Sequence, residues 1–600
     1  MVDGLKRENT VWKPVHGKLV VAAIDFGTTC TGYAYSLTQD YEKNPMNISM
    51  GQTWIGRAEI GIQAPTSALF DPGKKFHSFG FKAEEAYKRL AFEKDEKEWY
   101  FFKHFKMILH NNKNLTRETD LEAANQKVMK AIVVFTESIK YVTDQLYQAI
   151  ATSHGEVEKS NIRWVLTVPA IWQDSSKMFM REAAEAADIK GDQLVLALEP
   201  EAASIFCKEH ATRIENRGYG DILRHFNPGE KYMVLDLGGG TVDVTINEVR
   251  KDGTLKDVYA ASGGAWGGIT VNEAFRKSFR ETVGMEIFGE CLSHDALGWI
   301  QIEQAFEQEK RRFCNSGDEI HILPLPSFFT RKPNVELAEK FKAKHSGTLE
   351  VKYNNLVIHR PKMEEYFDAA IDKIKDHISS LLQRKELDKI SCIMLVGGFA
   401  ESSVVQKKIK DKFTKLTIFV PPEAGISVLK GAVLFGNNPN IIAERMSPWT
   451  YGVHTRKAFN IKIHDSKRRK VIGGKEYVNN VFVKYIEIGE SVVVGRNYPG
   501  HVFRLINPRD HNIFWNVYKS ENKDPVYCDE KGVTLLGSLK VELPRHKRDK
   551  NWRFELKMTC RGTELEASVS DADTKEQFKN STKFDFLRNE YEVGSDFVQE

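Results

Sequence analysis

One short pattern occurs twice in this chain. AIDFGTTCTGYAY (Ala23 to Tyr35) and VLDLGGGTVDVTI (Val234 to Ile246) each read as a buried strand, an Asp, a Gly/Thr corner and a returning strand. Asp25 and Asp236 lie 211 positions apart. That interval is too long for a solenoid unit and suits two similar lobes facing each other. A single corner of this kind is explained by turn chemistry, since Gly and Thr are ordinary hairpin residues. Two that share an Asp-x-Gly corner are better explained by a shared ligand. Glycine lets backbone N–H groups approach an anion closely. Threonine adds hydroxyl donors. No G-x-x-x-x-G-K-[ST] segment is present, so the phosphate loop of that name is excluded. The reading is two hairpins that clamp a nucleotide polyphosphate. Asp25 and Asp236 then face one Mg²⁺ through its waters, because Mg²⁺ dehydrates reluctantly.

The surrounding pattern fits an α/β architecture. LVVAAID, RWVLTVP, YMVLDLG and CIMLVGG read as strands buried on both faces. Helical spacing is expected from Asp120 to Ile150 and from Met363 to Arg384. After Asn437 the texture changes to period-two alternation: VFVKYIEIGESVVVG, HVFRLINPR, NIFWNVYKS, GSLKVEL, WRFELKMTC and ELEASVSD. That predicts an all-β sandwich. The expected divisions are an α/β part at 17–437, a linker at 438–447, a β-sandwich at 448–575 and a short tail at 576–600.

Bulk properties exclude several classes. The net charge is +4 and the basic residues are scattered, which argues against nucleic acid. No stretch approaches the ~18 apolar residues of a membrane span, and MVDGLKRENTVWKP has no signal-peptide core. Seven cysteines without a CxxC read as reduced, with no zinc site. A cytoplasmic protein, also admitted to the nucleus, is expected. The sequons at Asn47, Asn114 and Asn580 read as chance. The basic clusters SKRRK (Ser466 to Lys470) and RHKRDK (Arg545 to Lys550) read as solvated loops.

The paired corners resemble the phosphate loops of the actin-like ATPase superfamily. VLTVPAIWQDSSKMFMREAAEAADI, LVLALEPEAASI and IMLVGGFAESSVVQKKIK resemble one branch of it, the 70-kDa heat-shock chaperones. The likeness spans about residues 18 to 575 and looks most like the atypical branch called heat shock 70 kDa protein 12. It implies a two-lobed ATPase domain followed by the β-sandwich. It also implies ATP or ADP with Mg²⁺, and K⁺ near Asp243. Gly27, Thr28, Thr29 and Cys30 would hold phosphate from one lobe, and Gly238, Gly239, Gly240 and Thr241 from the other. Asp25, Asp236 and Asp243 would organise the metal ions. Asp236 and Glu199 would orient the attacking water, and a lysine in WYFFKHFKMILH would reach the terminal phosphate. Lys106 fits that role better than Lys103. Glu307, Lys310, Arg311 and Cys314 would face the adenosine, with Gly397, Gly398 and Glu401 across from them. Ile302, Ala305, Phe306 and Phe313 form the core stripe of that helix. GGAWGGIT (Gly263 to Thr270) supplies another glycine corner.

Some positions depart from the family. Cys30 replaces an aromatic, Cys314 a hydroxyl residue, Glu401 an arginine that stacks on the base, and Glu201 a threonine. The linker offers only Ile441 and Ile442, and the helical lid is not expected. The function expected is a slowly hydrolysing, chaperone-like ATP-binding protein with an unfolded or extended polypeptide as partner. A J-domain co-chaperone is left in doubt by the departures. Alternatives are a nucleotide-gated scaffold with little turnover and a small-molecule, sugar-type kinase of the same superfamily.

Overall fold

The computed structural model describes residues 18–51, 54–55, 60–213, 226–315, 320–330, 335–505, 512–542, 552–578, 584–588 and 597–599. The Asn580 sequon, the 545–550 basic cluster and the first fourteen residues lie outside them.

The chain is a mixed α/β protein, and its internal repeat extends from the hairpins to whole sheets. In the first sheet Val20–Phe26 pairs in parallel with Ile162–Val168, which pairs in parallel with Leu194–Leu198. On its other edge Val20–Phe26 forms a hairpin with Cys30–Leu37, and Ser49–Met50 follows outside. The second sheet has the same order. Thr417–Phe419, Ile390–Val396 and Lys231–Leu237 run parallel, and Lys231–Leu237 turns back into Val242–Val249, with Leu255–Gly264 outside. All four apolar runs are therefore interior strands.

Burial on both faces explains why these strands are apolar throughout. Val20, Ala22, Ile24 and Phe26 pack with Val134, Phe135, Ile139 and Val142 of helix Ala131–His154. Val21 and Ala23 point the other way, into a cluster that also contains Val234 and Met394 of the second sheet. Helices Glu199–Arg213 and Ser427–Asn437 supply the layer between the sheets. They cross at backbone contact, because a Cβ on Gly431 would lie 1.7 Å from the Ala202 carbonyl oxygen.

One helical expectation fails. Residues 120–130 form the antiparallel pair Asp120–Glu122 and Val128–Lys130, and the helix starts only at Ala131. Asn125 explains the turn. Its Nδ2 donates to the carbonyls of Lys97 (3.0 Å) and Trp99 (2.7 Å), and Gln126 takes a positive φ. Those contacts compete with helix.

After Asn438 the described residues form strands and short 3₁₀ turns only. Thr450–Ala458 pairs with Lys475–Ile486 and Asn512–Ser520. His501–Leu505 pairs with Arg553–Arg561, which pairs with Glu564–Asp571. Val453, Trp515, Leu539, Phe554 and Val569 share their core. SKRRK is only partly a loop, because Arg469–Ile472 is a strand. The tail is integrated as well. Phe584, Phe586 and Leu587 are buried, and Phe597–Gln599 pairs with His501–Leu505.

The segment expected as a linker is itself a strand. Ile442–Met446 extends the second sheet beside Leu255–Gly264 and pairs on its other edge with Ser491–Val493 of the β-rich region. Arg445 anchors it. Its Nε and Nη2 donate to the Glu201 carboxylate at 2.7 and 2.5 Å, and its Nη1 donates to the Gly562 carbonyl. Asp257 lies beside the pair and accepts from Asn247 Nδ2 at 2.8 Å. Burial, then the Glu201 charge, hold its carboxyl well above the usual range despite Arg445. A carboxyl with a raised folded-state pKa keeps its proton better folded than unfolded. Its contribution to stability is therefore lost as pH rises above about 4. Asp257→Asn keeps the acceptor oxygen and removes the charge. Chemical unfolding from pH 5 to pH 8 should show the variant gaining on wild type as pH rises. A wild-type advantage that grows with pH would show that Asp257 is ionised and paired.

Candidate functional site

The two corners meet. A Cβ on Gly239 would lie 2.2 Å from Thr29 Oγ1, and one on Gly240 would lie 2.7 Å from Thr28 Oγ1. Each corner is fixed through its carbonyls. Gly27 and Thr29 accept from Thr66, through Oγ1 (2.8 Å) and N–H (2.9 Å) respectively. Gly238, Gly239 and Gly240 accept from the N–H groups of Gly268, Ile269 and Gly267, at 3.1, 2.8 and 3.2 Å. The Gly263-to-Thr270 segment therefore braces the second corner from behind. Among the described residues, the N–H groups of Thr28, Thr29, Gly239, Gly240 and Thr241 donate to no protein acceptor. Five backbone donors and the threonine hydroxyls thus share one small region.

Carboxylates line the strand ends behind the corners. Asp25 ends its strand and accepts from Thr167 Oγ1 at 2.7 Å. Asp236 occupies the equivalent place in the second sheet. Asp243 accepts from the Ile171 N–H at 2.9 Å. Glu199 opens its helix and accepts from Lys106 Nζ at 2.7 Å. Lys106 is 2% exposed and lies 5.0 Å from the Trp172 ring centroid. Lys103 points elsewhere, 3.4 Å from Glu84.

The four acids share one ammonium, and the titration of the three aspartates reflects it. Burial, then Glu199, push Asp25 up to about 6. The same two causes push Asp243 up to about 7. Asp236 is held well above the usual range by burial and by Glu199, Asp243 and Asp25 together. In each case Lys106 acts in the opposite direction but does not balance the charge. Such a donor set fits a cation. Among the described residues no three His, Cys, Asp or Glu side chains converge to ligate one directly, so the fit is to a hydrated ion.

The expected adenosine residues fall into two groups. Glu307 sits between Lys310 (2.6 Å) and Arg311 (2.9 Å) and accepts from Asn272 at 2.8 Å. Burial alone would raise its carboxyl, but Lys310 and Arg311 hold it down at about 2. Arg311 lies close enough to Cys30 for its charge to oppose the effect of burial on that thiol. Burial pushes the Cys30 thiol up. Ile302, Phe306 and Phe313 are core, as expected. Across the sheet Gly397 has φ +86°, and a Cβ there would lie 2.4 Å from Asp236 Oδ1. Gly398 faces open space. Glu401 is tied down, accepting from the Gly425 N–H at 2.9 Å. The Cys314 carbonyl accepts from Arg360 Nη2 at 3.1 Å.

Curated relatives match most of the chain. Heat shock 70 kDa protein 12A from Mus musculus is 34% identical over 591 residues, covering 88% of this chain and 85% of the relative. Heat shock 70 kDa protein 12B from Homo sapiens is 31% identical over 643 residues, covering 95% and 91%. This chain belongs to the 70-kDa heat-shock protein family. Within the family it stands with the heat shock 70 kDa protein 12 branch. Its likeness to more distant members is partial. The chaperone protein DnaK of Endomicrobium trichonymphae is 28% identical over 305 residues, 48% of this chain and 42% of the relative. A family model described as a domain of unknown function (DUF8340) matches residues 225–420.

For this 70-kDa heat-shock family member, sequence reasoning missed Thr167, Trp172 and Asn272. Thr167 was visible as the one hydroxyl inside an apolar strand run. Trp172 and Asn272 carried no local signal, because their partners lie far away in sequence.

Lys106 makes a direct test of the charge balance. Lys106→Met should destabilise the ligand-free protein by about 3–5 kcal/mol, because it leaves a buried carboxylate without its partner. Urea unfolding at neutral pH measures this. A loss below about 1 kcal/mol, the size of an exposed pair, would mean that water already screens Glu199.

Proposed function

We propose that this member of the 70-kDa heat-shock family is a slow, chaperone-like ATPase. In this reading the two matched sheets are the lobes of an actin-like ATPase domain at 17–437. Residues 438–447 join it to a β-sandwich at 448–575 that binds extended polypeptide, with a short tail at 576–600. The observation that carries the reading is the meeting of two glycine corners in which the N–H groups of Thr28, Thr29, Gly239, Gly240 and Thr241 have no protein acceptor among the described residues. Anions bind such concavities of backbone donors.

The residues divide the work by position. Thr28, Thr29, Gly239, Gly240 and Thr241 present donors to the β- and γ-phosphates, with Gly27 and Gly238 fixing the turns. Asp25, Asp236 and Asp243 would hold hydrated Mg²⁺, and Asp243 would help hold K⁺. Bound Mg²⁺ supplies neutralisation of phosphate charge. Asp236 and Glu199 accept from and orient the attacking water. Lys106, released from Glu199, would reach for the terminal phosphate. Glu307, Lys310, Arg311 and Cys314 flank the ribose and base, and Gly397 and Gly398 keep the opposite wall open. Phosphoryl transfer needs mainly positioning and charge stabilisation. With Glu401 held on Gly425, the base lacks a stacking guanidinium there, which lowers nucleotide affinity.

Asp236→Asn tests the catalytic assignment. It preserves every corner N–H and removes the carboxylate nearest metal and water. ATP binding should persist. Turnover should fall roughly 10²- to 10⁴-fold, the range for a lost general base, with kcat and kcat/KM falling together. Phosphate-release assays and calorimetry read the two effects separately. Wild-type turnover by the variant would remove Asp236 from the mechanism.

A further inference from the structure

The hairpin that opens the β-rich region carries side chains that no core uses. Ile461 and Ile463 are 78% and 72% exposed, and Val471 is 59% exposed. They are presented by a fixed turn. Asn460 Oδ1 accepts from the Lys462 N–H (2.9 Å), and the Asn460 carbonyl accepts from the N–H groups of Ile463 (3.2 Å) and His464 (2.9 Å). An open groove of about 1020 Å³ lies against the turn, lined by Lys457, Phe459, Ile461, Ile463, Arg469 and Gln599.

Two further features surround it. Among the described residues Arg469–Ile472 pairs only with Lys475–Ile486, so its other edge offers backbone donors and acceptors to a further strand. The local charge is unbalanced as well. Arg468 pairs with Asp529 at 2.8 Å and Arg469 pairs with Glu476. Lys457, Lys462, Lys467, Lys470 and Lys475 have no carboxylate partner among the described residues.

We propose that this hairpin docks an extended polypeptide segment whose apolar side chains are flanked by carboxylates. The proposal rests on reading the β-rich region as the polypeptide-binding part, and it names the class of segment selected. Ile461, Ile463 and Val471 receive the apolar side chains. The free strand edge supplies backbone hydrogen bonds, as in strand addition. The five lysines choose acid over base at the flanks. An anionic lipid surface would meet the same charge and apolar groups. It would leave the strand edge to mobile headgroups and water, whereas an extended backbone matches it donor for acceptor.

The full chain can be titrated with three labelled peptides that share one leucine-rich core and carry Asp, Ser or Lys flanks, and with phosphatidylserine vesicles. At low salt the Asp-flanked peptide should bind about tenfold tighter than the Lys-flanked one, from several exposed ion pairs of modest strength. The gap should shrink as salt screens it. The double variant Lys462→Glu, Lys470→Glu should remove most of that gap, and Ile461→Ser with Ile463→Ser should weaken all three. These positions are exposed, so folding is not at risk. Equal binding of all three peptides would overturn the charge selection and leave polypeptide binding standing. No binding of any peptide would overturn both readings. Vesicle binding without peptide binding would assign the surface to lipid.

Discussion

Gly239 and Gly240 set how closely the two glycine corners come together. A side chain at either position would collide with Thr29 or Thr28 of the opposite corner. Without side chains, the corners bring unengaged N–H groups from two distant hairpins into one region. Their carbonyls are already committed, to Thr66 on one side and to the start of helix Ile269–Val283 on the other. The conformation is therefore held from behind, while its donors point at whatever enters. Behind the donors stand Asp25, Glu199, Asp236 and Asp243 against one lysine. Donors in front and surplus negative charge behind suit an anion that arrives with its cation.

The start of helix Glu199–Arg213 joins this site to the β-rich region. Glu199 turns to Lys106, while Glu201 turns to Arg445 on the connecting strand. Arg445 also reaches the Gly562 carbonyl, at the hairpin that bears Glu564. Glu564 in turn accepts from Arg181 at 2.6 Å, and Thr563 Oγ1 donates to the Leu196 carbonyl at 3.2 Å. These contacts between the two regions thus meet the strand and helices around Glu199, while Arg117 and Asp585 pair at 3.1 Å elsewhere along the same boundary. A connection made of a buried bidentate pair and paired strands is stiff.

Much of this was legible in the sequence because it depends on local pattern. The strand runs and the duplicated corners follow from continuous apolar stretches and glycine placement, while the preference for Lys106 over Lys103 as the phosphate-reaching lysine came from the family resemblance. The error at residues 120–130 arose because Asn125 is held by carbonyls about twenty-six residues earlier, which no local window contains. Glu201 stood out as a departure from the family, yet its reason appeared only when Arg445 was found beside it. The burial of the tail was likewise hidden, since Phe584 and Phe586 find their partners in a core built by distant strands. Local chemistry was readable, whereas long-range polar pairing was not.

Hydrogen–deuterium exchange on the full chain, with and without Mg²⁺ and a non-hydrolysable ATP analogue, tests the central claim most directly. The account predicts that ligand slows exchange at Thr28 and Thr29 and at Gly239 to Thr241 together, at one ligand concentration. Protection of one corner alone, or of neither, would contradict a clamp built from both.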